Sequence, residues 1–386
     1  MSIKNSLLFA AALLIAPLGK GDEVDRLDPD FVHASLLIMG PGETLYSCYG
    51  HACLRLECKA YDLDYCFSYE AEPVENQVFR FFRGDLKMGM FSVPTEEFLK
   101  QYVESGRGVR QYRLNLPPEI KVRLWKIMDD AVAKGPYLEY DYIKRSCAYS
   151  LFRLLQSAVA PKVLELPPWT DKFNKLSRRE ILAEPLGAFP WTRFAIHTIV
   201  GWQGDKTMSN FEKIVLPSDL VILLREAKIS GVSSIKGDTV IEKGDAGKEL
   251  LPNIPQPPPS WCTPMVVAIG LLVFIALFGV CPQILGAIVM VLGGFLTYLI
   301  AFSALPATDW NWLIIPFNPL SGFVQLYCTF RGLSPKMRLV CWVFAFIDAA
   351  WVVAMALVPH QMTDPAYLVL ALACAVLLTK KALMIK

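Results

Sequence analysis

A chain of 386 residues has room for two domains, and 54% hydrophobic against 19% charged residues is more apolar than soluble cores require. The net charge of +2, with no arginine-rich tract or zinc-finger spacing, argues against a polyanionic partner and against nucleic acid in particular. The apolar excess is concentrated, because no Asp, Glu, Lys or Arg occurs between Thr263 and Thr308.

Lys4 precedes an apolar stretch from Leu7 to Leu18, which is followed by Gly19-Lys-Gly-Asp-Glu. About a dozen apolar residues suit the hydrophobic stretch of a signal peptide better than a full membrane span. No clean small-x-small cleavage site precedes Lys20, so residues 1–22 are read as a signal peptide or an uncleaved anchor. In either case residues 23–250 are expected outside the cytoplasm.

Phe31–Met39 and His51–Cys58 read as strands, and Tyr65–Tyr69 as a third that returns behind a turn at Lys59–Asp64. Asn76–Arg83 is apolar and aromatic and fits a strand or a short helix. Thr95–Ser105 is expected to be a helix capped by Thr95. Pro117–Lys134 is the clearest soluble helix, with Ile120, Leu124, Ile127, Met128 and Ala131 as its buried stripe. Another amphipathic helix begins at Cys147, with Ser146 as its N-cap. Glu165–Arg193 is rich in Pro and Trp and reads as a covering loop. A helix is expected from Ser218 or Asp219. Ser230–Gly244 reads as a small β appendage with a strand at Asp238–Lys243, and a Pro-rich linker occupies residues 251–262.

Residues 263–386 hold five apolar segments: Pro264–Cys281, Ile284–Ala304, Trp310–Phe330, Leu339–Val358 and Ala366–Thr379. The third carries Pro316 and Pro319 and is expected to be broken or re-entrant. With the N-terminal domain outside, the Arg331–Arg338 loop and the Lys380–Lys386 tail both fall inside, which satisfies the positive-inside rule. Asp348 lies near the middle of the fourth segment, where an ionisable group is costly and often functional. Helix packing is its plainer role. Trp310, Asn311 and Trp312 form an outward interfacial loop, suited to anchoring or to lipid-headgroup contact.

The chemistry centres on Cys147. A capped helix N-terminus favours thiolate over thiol, through unpaired amides and the positive end of the helix dipole. Five of the ten cysteines (Cys48, Cys53, Cys58, Cys66 and Cys147) lie in the exported part, so at least one is unpaired within the chain. A Cys58–Cys66 bridge is opposed by alternation, since Cys58 shares a face with Leu54 and Leu56, and Cys66 with Ser68 and Glu70. The four upstream cysteines match no zinc site, and the sequence calls for no cofactor. His51 opens the second strand and offers the imidazole of a Cys/His nucleophilic pair. Hairpin pairing sets it opposite residues 70 to 72, so Glu70 or Glu72 could hold its tautomer. Tyr140, seven residues before Cys147, is a candidate for the oxyanion. A buried structural thiol is the plain alternative for Cys147, and a satisfied strand histidine for His51.

Tyr49-Gly-His51-Ala-Cys-Leu-Arg-Leu56, Phe67-Ser-Tyr69, Phe82-Arg-Gly84-Asp-Leu and Tyr140-x-Tyr142 ahead of Ser146-Cys147 resemble the N-terminal periplasmic domain of the Lnb lipoprotein N-acyltransferases. Gly204-Asp-Lys206 with Leu216-Pro-Ser-Asp-Leu220 extends the resemblance. Asn311-Trp312-Leu313 with Phe317-Asn318-Pro-Leu320 is similar to that family's membrane region. The His-then-Cys order is also similar to permuted papain-like enzymes such as lecithin-retinol acyltransferase. Where both groups tend to carry Asn before the nucleophile, this chain has Ser146, which keeps a capping side chain and loses an amide.

The resemblance implies an α+β, permuted papain-like (NlpC-like) exported domain followed by an all-α five-helix membrane domain. It implies a bacterial inner-membrane enzyme with a phospholipid acyl donor and a diacylglyceryl-lipoprotein acceptor, working through a Cys147 thioester. Trp310, Asn311, Trp312, Asn318 and Asp348 would then be membrane or substrate contacts. The residues themselves also fit a membrane-tethered cysteine peptidase or amidase, or a scaffold with an inert exported domain.

Overall fold

The computed structural model describes residues 31–42, 47–72, 77–135, 138–139, 146–166, 176–206, 214, 216–231, 239–242, 244–253, 260–278, 282–330, 333–357 and 361–383. The chain is mixed α and β with C-terminal apolar helices, and it divides into two compact units. The first comprises residues 1–81, 85–174 and 209–256, the second residues 82–84, 175–208 and 257–386. The stretch from Lys175 to Met208, expected within the exported domain, therefore clusters with the apolar helices.

The first unit is built on a seven-stranded antiparallel sheet in the order β6-β4-β3-β2-β1-β5-β9. Its strands are β1 His33–Met39, β2 His51–Cys58, β3 Leu63–Ala71, β4 Lys87–Pro94, β5 Val109–Arg113, β6 Leu138–Glu139 and β9 Lys248–Leu251. A short pair, β7 Leu164–Glu165 and β8 Lys228–Ile229, lies apart from it. The β2–β3 hairpin turns through a 3-10 turn at Lys59–Tyr61, with Asp62 in the left-handed region at φ 52°. A short helix α1 spans Val78–Arg83, followed by α2 Thr95–Glu104, α3 Pro118–Lys134, α4 Cys147–Val159 and, beyond the second unit's insertion, α7 Pro217–Leu224.

Alternation along the strands fills two layers of different kind. Ala34, Leu36, Ala52, Leu54, Leu56 and Phe67 face α3, α4 and α7, where Leu124, Met128, Leu151, Phe152, Leu155 and Leu220 complete the main core. Leu37, Met39, Cys53 and Cys66 turn to the opposite face, where α2 covers them with Phe98 and Tyr102. Cys58 belongs to the first layer and Cys66 to the second, which keeps the two thiols on opposite faces.

Three local expectations need correction. Thr95 is the first residue of α2, not its cap, because its hydroxyl donates to Asp64 Oδ1 at 2.5 Å. No strand forms at Thr239–Ile241. Val240 and Ile241 instead bury against the end of α7, their amides donating to Ala227 O and Leu224 O at 2.9 Å. The β extension is β9, which joins the main sheet beside β5 and is no separate appendage. Strands β4 and β5 do not show the long apolar alternation by which β2 is recognised.

In the second unit, α5 (Arg178–Ala183) and α6 (Pro190–Ile199) precede the apolar helices α8 Pro264–Phe278, α9 Pro282–Phe302, α10 Pro319–Phe330, α11 Pro335–Leu357 and α12 Pro365–Leu383. Among the described residues three helices are long and apolar enough to cross a membrane: Gln283–Phe302, Pro335–Leu357 and Pro365–Leu383. Five apolar helices are present, yet α8 is shorter and α10 has only 12 residues. The third expected segment is broken, as its prolines suggested. Asn311 caps a 3-10 turn at Trp312–Ile314, and the Asn318 side chain then restarts the helix by accepting Ser321 N–H at 2.8 Å. Close packing of α9 on α10 depends on glycine, since a Cβ on Gly322 would lie 2.5 Å from Met290 N.

Arg179 is fully enclosed in this unit, at 0% exposure. Its Nε and one terminal nitrogen form a bidentate pair with Asp205 at 2.7 and 3.0 Å. The other terminal nitrogen reaches His197 O at 3.2 Å, and the one that meets Asp205 also reaches Val200 O and Gly201 O at 2.7 and 2.8 Å. One guanidinium thus ties α5 to the end of α6 and to the turn that follows it. Removing one partner of a buried pair typically costs about 3–5 kcal/mol, because the other is left uncompensated. Arg179→Met is therefore expected to lower the melting temperature of the detergent-solubilised chain by many degrees. Arg110→Met, which breaks an exposed pair with Glu249, is expected to change it little. Equal, small effects of both variants would contradict this assignment.

Candidate active site

The site forms where β2, β3 and the start of α4 converge. Ser146 has extended backbone geometry (φ −70°, ψ 163°), and its hydroxyl accepts the Tyr149 amide at 3.2 Å, so it is the N-cap of α4. The cap fixes Cys147 as the first helical residue, partly exposed, at the positive end of the helix dipole. Ala148, Leu151, Phe152 and Leu155 lock the helix to the main core.

His51 opens β2 and is 8% exposed. Cys53 pairs with Ser68 in the β2–β3 ladder, which carries the register on to set His51 across from Glu70. Nε2 of His51 lies 2.6 Å from Ser68 Oγ and 3.2 Å from Glu70 Oε1. Ser68 Oγ donates onward to Glu70 Oε1 at 2.6 Å. Serine hydroxyl and carboxylate both face Nε2, and the imidazole is also hydrogen-bonded to the Cys147 thiol.

The electrostatics follow from this chain of contacts. Burial alone would strip the charge from His51, but the Glu70 carboxylate and the Cys147 thiolate outweigh it, and the imidazole is pushed up to about 10. Burial would likewise raise Cys147, and the Glu70 charge adds to that. The His51 charge, its hydrogen bond and the Ala52 backbone N–H overcome both, and the thiol titrates below its ordinary value of 9.0. Glu70 is held below the usual carboxylate range: burial opposes its charge, but His51, Ser68 and the Arg107 guanidinium prevail. Cys48 behaves in the opposite way, since burial pushes it up to about 12. Of the exported cysteines, Cys147 is therefore the one set against an imidazolium at a helix N-terminus.

The other expected residues are placed as follows. Glu72 is engaged elsewhere, accepting from Arg80 at 3.0 Å and from Lys87 N–H at 2.9 Å. Tyr140 lies outside the described residues. Asn311 is 1% exposed and its amide is fully used: Nδ2 donates to Thr198 O at 2.7 Å, while Oδ1 accepts Leu313 N–H and Gln361 Nε2 at 3.1 and 2.9 Å. The Trp312 amide donates to Gln361 Oε1 at 3.0 Å, and its ring packs edge-on against Trp310, which is half exposed. Asn318 spends its side chain capping α10. Asp348 is 0% exposed within α11, and neither carboxylate oxygen has a hydrogen-bond partner among the described residues.

Ser68 is the residue that sequence reasoning passed over. Strand alternation already put it on the face of His51 and Glu70, and a small hydroxyl flanked by an imidazole and a carboxylate was the available signal. Among the described residues no group of three or more His, Cys, Asp or Glu side chains is placed to hold a metal.

Because the His51 charge and hydrogen bond hold Cys147 down, His51→Ala should leave burial dominant and raise the thiol. Alkylation of Cys147 by iodoacetamide is expected to reach its half-maximal rate below pH 9.0 in the parent chain and above it in the variant. Identical pH profiles would show that the two groups are not coupled.

No curated protein and no solved structure matches the chain. Residues 24–178, which carry His51, Ser68, Glu70 and Cys147, match the family model of the Lnb N-terminal periplasmic domain. With its apolar helices the chain is a membrane protein bearing a periplasmic domain. That match over residues 24–178 supports an Lnb-type protein.

Proposed function

We propose that this protein is a cysteine-dependent acyltransferase of the inner membrane. It moves a fatty acyl chain from a phospholipid to the N-terminal amine of diacylglyceryl lipoproteins, with its catalytic domain on the periplasmic side. The observation that carries the reading is the Cys147 thiol at a capped helix N-terminus, hydrogen-bonded to a buried His51 that also meets Ser68 and Glu70. A strand-borne imidazole followed in the chain by a helix-borne thiol is the layout of permuted papain-like enzymes, which supports that fold for the domain.

In the first half-reaction the Cys147 thiolate attacks the carbonyl carbon of a phospholipid ester. The tetrahedral oxyanion forms at the start of α4, where the Cys147 backbone N–H supports it. Collapse breaks the ester C–O bond, and His51, as imidazolium, delivers its proton to the departing lysophospholipid oxygen. An acyl thioester and a neutral imidazole remain. In the second half-reaction the lipoprotein's neutral amine attacks the thioester carbonyl, and His51 takes the amine proton. The C–S bond breaks, the amide is released, and the thiolate–imidazolium pair is restored. Ser68 and Glu70 keep the imidazole oriented through both proton transfers.

Hydrolysis differs only in the second nucleophile, so a peptidase or amidase would use the same pair. The membrane helices favour a lipid-handling enzyme, since a tethered peptidase needs a single anchor.

In a strain whose sole candidate N-acyltransferase is this protein, intact-lipoprotein mass spectrometry should show N-acylated lipoproteins. Cys147→Ala, made and inserted at parent level, should abolish them, a loss of at least about 10³-fold for removal of a covalent nucleophile. Unchanged N-acylation in that variant would exclude Cys147 as the acyl carrier.

A further inference from the structure

Within the apolar helices of the second unit, packing is uneven. Helix α9 packs chiefly on α10, while α11 packs chiefly on α12, and α12 also takes α8. Contact between α10 and α11 is slight. A small apolar cluster closes that seam: Val324 and Cys328 from α10, Cys341 and Ala345 from α11, and Leu378 and Ala382 from α12. It is separate from the main core of this unit, to which Phe317, Trp351, Tyr367 and Cys374 belong.

Two thiols meet in the seam. Cys328 Sγ and Cys341 Sγ are 3.3 Å apart, at 3% and 0% exposure. A disulfide needs about 2.05 Å between sulfurs, so the two must approach further for the bond to form. Neighbouring Met337, Val340 and Phe344 enclose the pair in apolar surroundings. These thiols are remote in sequence from the Cys147 site and have no part in its chemistry.

We propose that Cys328 and Cys341 are a reversible oxidation site that staples α10 to α11. The oxidant class is a small-molecule disulfide. One cysteine thiolate attacks a sulfur of the oxidant, forming a mixed disulfide and releasing one thiol. The second cysteine then attacks the protein-side sulfur, displacing the other thiol. Two protein thiols are oxidised, one disulfide is reduced to two thiols, and both protons pass to the leaving thiolates. With the thiols free, the α9–α10 pair and the α11–α12 pair meet through a thin apolar contact. With the bond formed, they are covalently joined where that contact is weakest.

The test uses the full-length chain in its own membranes. Membranes are treated with a membrane-permeant alkyl disulfide, free thiols are blocked with N-ethylmaleimide in denaturant, and chymotryptic peptides are analysed by mass spectrometry. Cleavage after Phe330 parts Cys328 from Cys341, and cleavage after Trp342 parts Cys341 from Cys374, so each thiol is read on its own peptide. The expected result is a linked Cys328–Cys341 peptide pair that disappears on reduction and is absent from Cys328→Ser and Cys341→Ser. Oxidation should also raise the melting temperature of the parent chain and leave that of Cys341→Ser unchanged. Full maleimide labelling of both cysteines after oxidant treatment would overturn the proposal, as would linkage of either one to Cys374.

Discussion

A buried imidazole cannot keep a charge unless negative groups hold it there, and that constraint organises the first unit. His51 meets it twice, with Glu70 and the Ser68 hydroxyl at Nε2 and with the Cys147 thiolate. Neither contact is local in sequence. The first depends on the β2–β3 register, because a slip of one residue would turn Ser68 and Glu70 to the opposite face. The second depends on α4 starting at Cys147, which the Ser146 cap fixes. The two-layered packing of the sheet follows from the same alternation. The layer bearing Leu54 and Leu56 anchors α4, and the layer bearing Cys53 and Cys66 lies under α2, on the side to which Ser68 and Glu70 belong.

Much of this was legible in the chain itself. His51–Cys58 alternates from Leu54 onward and forms a strand with those bounds, and Pro117–Lys134 carries a stripe that needs no tertiary information. The turn at Lys59–Asp64 fixed the pairing closely enough to set Glu70 opposite His51. Glu72 could not be separated from Glu70 in the same way, because its fate depends on Arg80 and the Lys87 amide, both placed by later elements. Ser68 was missed for a related reason. Serine has many roles in strands, and only the 2.6 Å contacts on either side of its hydroxyl distinguish this one.

The second unit was less legible, because apolar composition reports burial in lipid or protein without reporting helix length. Pro316 and Pro319 signalled a break, but the side-chain caps from Asn311 and Asn318 that shape it are tertiary details. Arg179 was not distinguished at all. Its five hydrogen bonds converge from Asp205 and from the carbonyls of three residues around the end of α6. Such an arginine looks like a surface charge until the fold encloses it. Asn311 was expected in an interfacial loop, and its side-chain amide is engaged by the backbone of Thr198 and Leu313 and by the Gln361 side chain.

The central claim is that Cys147 carries the acyl group. Purified protein incubated with phospholipid and no lipoprotein acceptor should gain the mass of one fatty acyl chain, located on the Cys147 peptide and released by neutral hydroxylamine. Lipoprotein added afterwards should discharge it. Acyl transfer by a chain that never gains this adduct, or an adduct on another residue with Cys147 unmodified, would contradict the account.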